Sequence, residues 1–428
     1  MNNVKINPSR ELAGTVRAPP SKAYTHRTLI AAALSEGRSK IIDPLVSDDS
    51  KATLGAVQAY GAVVERNKKT WTVTGRSIPI APDRVVDCGE SGATIRFMTP
   101  IAALARGISI LTGKPQLRKR PIGPLLQAMR ELGVTCYTAR GGGHPPVIVF
   151  GGSIHGGNAF LRGDVSSQFI SGLLFAAPKA LNDVVIRLTS TLESRNYVDM
   201  TVRVLNDHGI KVEESADFRE YHLRANQTYT PADHIIPGDY SSSAFILAAA
   251  AITGSRVKVG NLEKASLQAD RVIVEILSRM GLELRQSEDS VEVQGGELSG
   301  LELDADQIPD LVPALAVLAC YAKGKTTIRK AGRLRIKESD RLSTLSSELG
   351  KMGASIQVVD DNIIVNGPSK LKGAIIDPHD DHRIAMACSI AALGANGSTT
   401  MENAQCITKS YPTFYEDLVK IGVKLHGR

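Results

Sequence analysis

Aromatic side chains are scarce in this sequence, since Phe, Trp and Tyr make up 4% of its 428 residues and Trp occurs once. Proteins that bind nucleic acid combine aromatic rings with clustered Lys and Arg. The densest basic run here is only three residues long, at 118–120. The formal net charge is nevertheless +7. We therefore expect no nucleic-acid partner and favour small anionic partners.

Cysteine and long apolar runs are also limited. The five cysteines are odd in number, and their spacing matches neither a metal site nor a disulfide framework. This pattern predicts a reducing, cytoplasmic location and no bound metal. The N-terminal residues MNNVKINPSRE lack the apolar core of a signal peptide. The apolar helical stretches are shorter than about 15 residues, too short to span a bilayer, so we expect no membrane partner.

A sixfold repeat runs the length of the chain. Each copy has an Ala/Leu-rich stretch closed by a small residue, at Gly37, Gly107, Asn182, Gly254, Gly324 and Gly397. A second marker keeps the same register, a Gly followed by an apolar residue, at positions 61, 133, 209, 281, 353 and 422. Each copy predicts a strand, a buried helix, a strand, a second helix with a left-handed Gly cap, and a hairpin.

The repeat also predicts the domain organisation, because six such units are too many for one core. We expect three units in residues 19–232 and three in residues 1–18 plus 233–428, with the N-terminal strands completing the last repeat. The two chain crossings, RAPPS and TPADHIIPGDY, are rich in Pro, Gly and Asp, as hinges are. An active site in the cleft between the domains would follow.

The loops that enter the predicted helices carry most of the candidate chemistry. Helix N-termini attract anions, because their N–H groups have no partner within the helix and the helix dipole is positive there. Many of these loops also contain Lys, Arg, Ser or Gly, as in PPSKAYTHR, DCGESGATIR, RGDVSSQF and DPHDDHR. Taken singly, such residues have plainer interpretations. A loop Arg such as Arg195 can be a solvated charge, Ser241 a helix cap, and Arg96 a structural partner for a carboxylate.

Taken together, the loops resemble one family. The segments PPSKAYTHRTLIAAAL, CGESGATIRF, KRPIGPLL, GDVSSQFISGLL, LRIKESDRL, DDHRIAMA and TKSYPTFYEDL occur in the order and spacing of the EPSP synthase (3-phosphoshikimate 1-carboxyvinyltransferase) family of the shikimate pathway. The resemblance covers the whole chain. It implies an α/β fold of two inside-out α/β barrel domains, built from six βαβαββ units with buried parallel helices.

The resemblance also implies an activity. Enzymes of this family transfer the enolpyruvyl group of phosphoenolpyruvate to the 5-hydroxyl of shikimate 3-phosphate and release phosphate, a step in chorismate and aromatic amino-acid biosynthesis. They use no cofactor. We accordingly expect a cytoplasmic transferase, and a monomer, whose partners are these two anions.

Site residues follow from the same resemblance. Those matching contacts to shikimate 3-phosphate are Lys22, Ala23, Arg27, Ser166, Ser167, Gln168, Ser194, Tyr197, Asp310, Arg333 and Lys337. Those matching contacts to phosphoenolpyruvate are Lys22, Gly92, Arg120, Gln168, Arg341, Arg383 and Lys409. The implied catalytic residues are Asp310 and Lys22 as candidate bases for the hydroxyl, Glu338 and Lys409 for protonation of C3, and His382. Which acid protonates C3 is left open.

Two positions depart from the family pattern, and two alternative functions follow from related folds. Ala23 stands where Ser is usual, and Arg333 where Asn is frequent. UDP-N-acetylglucosamine 1-carboxyvinyltransferases share the fold and the donor, but they carry a functional Cys in the loop before Arg-Pro, and TGKPQLRKRPIG has none. An RNA-end-processing or anion-binding protein of related fold is the other alternative.

Overall fold

The structure is a computed structural model that describes residues 3–427. In these residues the chain forms twelve α-helices: α1 (Lys22–Leu34), α2 (Asp48–Ala59), α3 (Gly92–Ala102), α4 (Gly123–Glu131), α5 (Ser167–Ala176), α6 (Arg195–Asp207), α7 (Tyr240–Thr253), α8 (Ile273–Arg279), α9 (Val312–Tyr321), α10 (Arg341–Lys351), α11 (His382–Ala391) and α12 (Phe414–Lys420). No helix of the described chain is long and apolar enough to cross a membrane.

The same residues form twenty-four strands. They are β1 (Val4–Ile6), β2 (Ala13–Arg17), β3 (Gly37–Ile42), β4 (Val63–Arg66), β5 (Thr70–Gly75), β6 (Val86–Asp87), β7 (Gly107–Thr112), β8 (Thr135–Thr138), β9 (Val147–Gly151), β10 (Gly157–Leu161), β11 (Val184–Leu188), β12 (Glu213–Glu214), β13 (Glu220–Leu223), β14 (His234–Ile235), β15 (Arg256–Gly260), β16 (Glu283–Gln286), β17 (Ser290–Gln294), β18 (Glu302–Asp304), β19 (Gly324–Arg329), β20 (Ile356–Val359), β21 (Asn362–Gly367), β22 (Ile375–Ile376), β23 (Thr399–Met401) and β24 (Leu425–Gly427).

Within residues 3–427 the strands form six four-stranded sheets of one topology. In one of them β6 runs parallel to β7, β7 pairs antiparallel with β9, and β9 forms a hairpin with β8. The order β10-β11-β13-β12 and the order β18-β19-β21-β20 repeat this arrangement. The sixfold repeat predicted from the two markers is therefore confirmed.

The first helix of each unit is buried, as its apolar composition predicts. In α7 every residue from Tyr240 to Ala251 is buried, and in α9 every residue from Val312 to Cys320. The helices α7, α9 and α11 pack against one another within one hydrophobic cluster, and α3 packs against α5 within a second. The N-termini of such helices cannot move without disturbing a core, so they hold loop residues in fixed positions.

The second helix of each unit ends as the sequence predicts. The glycines after these helices all have positive φ angles, between 80° and 105°, at Gly61, Gly133, Gly209, Gly281, Gly353 and Gly422. A residue without Cβ adopts this left-handed conformation at little cost, so each glycine terminates its helix and turns the chain into the hairpin.

The chain divides into two compact units, Met1–Pro19 with Pro237–Arg428, and Pro20–Ile236. The second crossing, after residue 236, lies within the expected segment TPADHIIPGDY. The domain bound differs from the expected residue 232, because β14 pairs in parallel with β3 and so stays with the unit of residues 20–236. The N-terminal strands also separate. β1 completes the sheet of β22, β23 and β24, whereas β2 runs parallel to β15 and begins a different sheet. The expectation that both strands complete the last repeat is wrong for β2.

Candidate active site

The unit of residues 20–236 presents its first cation at the start of α1. Lys22 is the first residue of that helix, and its Nζ lies 2.8 Å from Oδ2 of Asp49 in the first turn of α2. The lysine side chain remains 20% exposed and the aspartate side chain 9%. Asp49 thus fixes the ammonium group at a helix N-terminus, where an anion is favoured.

One turn further along α1, Arg27 is buried at 2% exposure. Its Nε donates to Thr201 Oγ1 at 2.8 Å, and its Nη1 and Nη2 donate to the carbonyls of Ala23 and Tyr197, both at 2.9 Å. None of these partners is charged. Burial lowers the pKa of Arg27 to about 10, so the guanidinium stays charged at neutral pH. Position 23 therefore contributes a backbone carbonyl to this contact, for which Ala serves as well as Ser.

Gly92 and Arg120 form a second anion-binding element. Gly92 is the first residue of α3, and a Cβ built on it would lie 2.7 Å from Cζ of Arg120, well inside contact distance. Arg120 is 8% exposed. The guanidinium thus occupies the space that a side chain at position 92 would take, next to the N–H groups at the start of the helix.

Arg96, one turn into α3, links the next two loops. Its Nη1 donates to Gln168 Oε1 at 2.8 Å, its Nη2 donates to the carbonyl of Pro121 at 3.4 Å, and its guanidinium lies over the ring of Phe169. These contacts are to an amide oxygen and a backbone carbonyl. Arg96 holds the start of α5 beside the Arg120 loop.

The start of α5 and the start of α6 supply hydroxyl groups. Ser166 caps α5, accepting from the Gln168 N–H, and Ser167 is 4% exposed. Ser194, before α6, is buried with a φ of 55°, a left-handed conformation that costs a non-glycine residue about 1–2 kcal/mol. Strain of this kind is concentrated at functional sites. Tyr197 is half-buried, and its carbonyl binds Arg27.

The other unit centres its candidate residues on Asp310. One oxygen, Oδ1, lies 3.1 Å from Arg341 Nη1 and 3.4 Å from Lys337 Nζ, and Oδ2 lies 3.4 Å from Arg383 Nη2. Burial alone would raise the pKa of Asp310, but Arg383, Lys337 and Arg341 together hold it well below its usual range. The carboxylate is therefore ionised, a condition for acting as a base.

Arg341, the first residue of α10, is 1% exposed and contacts three carboxylates. Its Nε lies 2.8 Å from Asp381 Oδ2, and its Nη2 lies 2.6 Å from Glu338 Oε2, in addition to the contact with Asp310. Burial would lower its pKa, but Asp381, Glu338 and Asp310 raise it above the ordinary value. Such a network holds the guanidinium and the Glu338 carboxylate in one arrangement.

Lys337 and Arg333 lie together. Burial lowers the pKa of Lys337 to about 8; Asp310 opposes this shift, and Arg341 and Arg333 add to it. The half-buried Arg333 is thus close enough for its charge to act on the lysine. Arg333 thus adds a further positive charge near Lys337.

The start of α11 completes this set. His382 is 1% exposed, with Nδ1 4.0 Å from Asp381 Oδ1, and Arg383 is 4% exposed and also donates from Nη1 to the carbonyl of Asp310 at 3.1 Å. Lys409 is 7% exposed, and its Nζ lies 3.6 Å from Asp380 Oδ2.

The predicted site residues fall into two sets, each within one unit. The unit of residues 20–236 holds Lys22, Ala23, Arg27, Gly92, Arg120, Ser166, Ser167, Gln168, Ser194 and Tyr197. The other unit holds Asp310, Arg333, Lys337, Glu338, Arg341, His382, Arg383 and Lys409. Among the residues that the structure describes, no group of three or more His, Cys, Asp or Glu side chains could hold a metal.

Sequence reasoning missed the acidic residues that anchor these cations. Asp49 pairs with Lys22, and Asp381, the cap of α11, accepts from Arg341 and Ser339. An acid before a helix usually signals only a cap. For Asp381 the signal available was its place in DPHDDHR, a loop that also contains the candidate cation Arg383. Asp49 lies in a different segment from Lys22 and gave no such signal.

Comparison with known proteins identifies the class of protein that carries this site. The sequence model of the EPSP synthase (3-phosphoshikimate 1-carboxyvinyltransferase) family matches residues 6–418. The chain is 44% identical over 415 residues to a protein of Methanocella arvoryzae named 3-phosphoshikimate 1-carboxyvinyltransferase, covering 96% of this chain and 97% of that one. A protein of the same name from Halobacterium salinarum is 42% identical over 431 residues, covering 99% of each chain.

Solved structures agree with the sequence relatives. The structure of EPSP synthase from Acinetobacter baumannii superposes with a TM-score of 0.83 at 27% identity, covering 100% of this chain and 99% of that one. The enolpyruvyl transferase NikO from Streptomyces tendae has the same fold, with a TM-score of 0.79 at 22% identity, covering 99% of this chain and 98% of that one. The chain belongs to the EPSP synthase family.

Proposed function

We propose that this protein transfers the enolpyruvyl group of phosphoenolpyruvate to the 5-hydroxyl of shikimate 3-phosphate and releases inorganic phosphate. The observation that carries this proposal is Arg27, a buried guanidinium with only uncharged partners in a chain of this family. Burying an ion costs several kcal/mol unless an opposite charge is supplied. A phosphate group bound beside α1 would supply it.

The negative charges of the two substrates fit the cations among the candidate site residues. Each phosphate carries about −1.5 to −2 near neutral pH, and each substrate adds a carboxylate. We assign phosphoenolpyruvate to Lys22, Gly92, Arg120, Gln168, Arg341, Arg383 and Lys409. We assign shikimate 3-phosphate to Lys22, Arg27, Ser166, Ser167, Gln168, Ser194, Tyr197, Asp310, Arg333 and Lys337.

The chemistry then requires three proton movements. Asp310, with Lys22 as the second candidate, takes the proton of the 5-hydroxyl as that oxygen attacks C2 of phosphoenolpyruvate. C3 gains a proton and becomes a methyl group in the tetrahedral intermediate. C3 then loses a proton while the bond from C2 to the phosphate oxygen breaks. Glu338 and Lys409 are the candidates for the proton at C3, and the buried His382 is assigned no separate step.

Substrate binding itself would strengthen the base. Without substrate, Arg383, Lys337 and Arg341 keep the pKa of Asp310 low against the opposite effect of burial. Bound phosphate and carboxylate groups share these cations, and the low pKa of Asp310 then rises towards the value that burial favours. Asp310 would become a competent base only when both anions are in place.

The sugar-nucleotide alternative is not favoured, since the relatives are named for the shikimate substrate and the loop at 112–123 lacks Cys. We also propose a cytoplasmic, monomeric enzyme, as the resemblance to the family implies. Neither the location nor the oligomeric state changes the proposed chemistry of transfer.

The direct test is phosphate release from phosphoenolpyruvate with each acceptor supplied separately. We expect release with shikimate 3-phosphate and none with UDP-N-acetylglucosamine. Asp310→Asn should lower turnover by about 10²- to 10⁴-fold, the usual loss of a general base. Asp304→Asn, a matched change at a carboxylate paired with Arg329 and Lys330, should leave turnover intact. Activity with the sugar nucleotide, or equal losses in both variants, would contradict the proposal.

A further inference from the structure

Asp270 is a buried carboxyl that the proposed mechanism does not use. It lies in the 3-10 turn Ala269–Val272 just before α8 and is 1% exposed. Ser241 Oγ, in the first turn of α7, donates to Oδ2. In residues 3–427, Oδ1 is buried without a hydrogen-bond partner. Buried carboxylates normally accept hydrogen bonds at both oxygens, so a half-satisfied carboxyl here requires an explanation.

The backbone around Asp270 is fixed to the start of α7. Gln268 Nε2 donates to the carbonyl of Gly238 at 2.7 Å, and Gln268 Oε1 accepts from the N–H of Tyr240 at 3.0 Å. The turn cannot swing Asp270 towards solvent without breaking both bonds. The carboxyl must therefore be accommodated where it is, either charged or neutral.

The groups that act on Asp270 include two of the proposed site. Burial is the largest cause of a raised pKa at Asp270, and the negative charges of Asp310 and Asp239 raise it further. The Ser241 hydrogen bond and the positive charge of Arg383 lower it. The balance raises the pKa of Asp270 to about 7. Asp310, by contrast, is held ionised by Arg383 and its other cations. Two interacting carboxyls whose pKa values are driven apart hold one proton between them near neutral pH.

We propose that Asp270 is a positioning residue for the transfer reaction, a buried carboxyl whose protonation leaves Arg383 available to Asp310 and to the anionic donor. The inference rests on the proposed function, because Arg383 is assigned there to phosphoenolpyruvate. A neutral Asp270 does not attract the Arg383 guanidinium. An ionised Asp270 attracts Arg383 and repels the incoming anion.

The consequence is a pH dependence in donor binding. As pH rises through about 7, Asp270 loses its proton and a negative charge appears beside Arg383 and Asp310. We expect the KM for phosphoenolpyruvate to rise about three- to tenfold between about pH 6 and pH 8, since one nearby charge shifts an ionic equilibrium by that order. The KM for shikimate 3-phosphate should change little over this range, because its expected rise with loss of the Lys337 charge lies above about pH 8.

The test compares kcat and both KM values across this pH range in the wild type and Asp270→Asn, which mimics the neutral carboxyl. We expect Asp270→Asn to keep the low-pH KM for phosphoenolpyruvate at all pH values. Glu348→Gln, at a buried carboxylate paired with Lys351, is the matched control and should keep the wild-type profile. Parallel profiles in wild type and Asp270→Asn, or an equal loss of kcat at every pH in the folded variant, would overturn the inference.

Two further measurements make the inference independent of one variant and of activity. Ser241→Ala removes a hydrogen bond that lowers the pKa of Asp270, so the rise in KM should move to higher pH. An unmoved rise counts against the inference. Infrared difference spectra between about pH 6 and pH 8 should show a neutral carboxyl band lost in wild type and absent in Asp270→Asn. Absence of the band in wild type overturns the inference, and inactivity with the band present overturns only the proposed function.

Discussion

Replacing Gly92 by Ala tests how the start of α3 and Arg120 act together. The backbone at Gly92 is helical, so alanine fits it without strain and favours the helix by up to about 1 kcal/mol. The added Cβ would lie 2.7 Å from Arg120 Cζ, whereas ordinary carbon contacts are about 3.5–4.0 Å. The guanidinium must therefore retreat by roughly 1 Å, and the fold need not be harmed.

The size of the effect follows from what that displacement breaks. A hydrogen bond to a charged group contributes about 1.5–3 kcal/mol. Losing one between Arg120 and the donor anion corresponds to roughly a 10- to 150-fold loss of affinity. We expect the KM for phosphoenolpyruvate to rise by that factor, with the KM for shikimate 3-phosphate and the melting temperature nearly unchanged.

Steady-state kinetics with a double-mutant cycle decides the matter. In an Arg120→Ala background, Gly92→Ala should raise the KM for phosphoenolpyruvate little further, because it acts by displacing the Arg120 side chain. Gly55→Ala is the control, since a Cβ there meets no atom within 4 Å. Equal losses for both substrates, or full additivity of Gly92→Ala and Arg120→Ala, would refute this reasoning.

Three other predictions follow from the site. Burial lowers the pKa of Lys337 to about 8, so its positive charge is lost as pH rises through that value. The KM for shikimate 3-phosphate should therefore rise above about pH 8 in the wild type and stay lower in Lys337→Arg, whose side chain remains charged. Burial raises the pKa of every cysteine thiol, that of Cys136 to about 11. A variant with all five cysteines replaced by Ser or Ala should therefore keep most of its turnover if its melting temperature is normal. Loss of turnover in a folded variant would implicate a thiol. Full activity is expected in excess chelator, and a loss that added metal restores would contradict charge neutralisation by Lys and Arg alone.

The fold could be predicted from the sequence where a single residue determines the local backbone. The cap glycines such as Gly61 and Gly422 marked the ends of helices, because only a left-handed conformation turns the chain there. The pairing of short strands carried no such signal. β14 has two residues and β1 has three, and their partners are set by the sheets that they complete. That is why the domain bound was expected at residue 232 instead of 236, and why the sheet of β2 was not predicted.

The types of residue in the candidate site could be predicted from the sequence, but the contacts between their side chains could not. Charged motifs beside helix starts indicated the cations, whereas their acidic partners depend on which helices lie side by side. Asp49 and Asp381 resemble ordinary caps until α2 is placed beside α1 and α10 beside α11. Likewise, the place of Gly92 at a helix start gave no sign that the Arg120 guanidinium packs against it. Contacts between side chains of different repeat units cannot be deduced from the spacing of residues in the sequence.

The measurement that tests the central proposal most directly follows the bridging oxygen of phosphoenolpyruvate. Donor labelled with oxygen-18 at the bridge between C2 and phosphorus is supplied with shikimate 3-phosphate, and the released phosphate is analysed by mass spectrometry. Enolpyruvyl transfer breaks the bond from C2 to this oxygen, so the label should leave with phosphate. Unlabelled phosphate, with the label kept in pyruvate, would mean cleavage at phosphorus and would contradict the account.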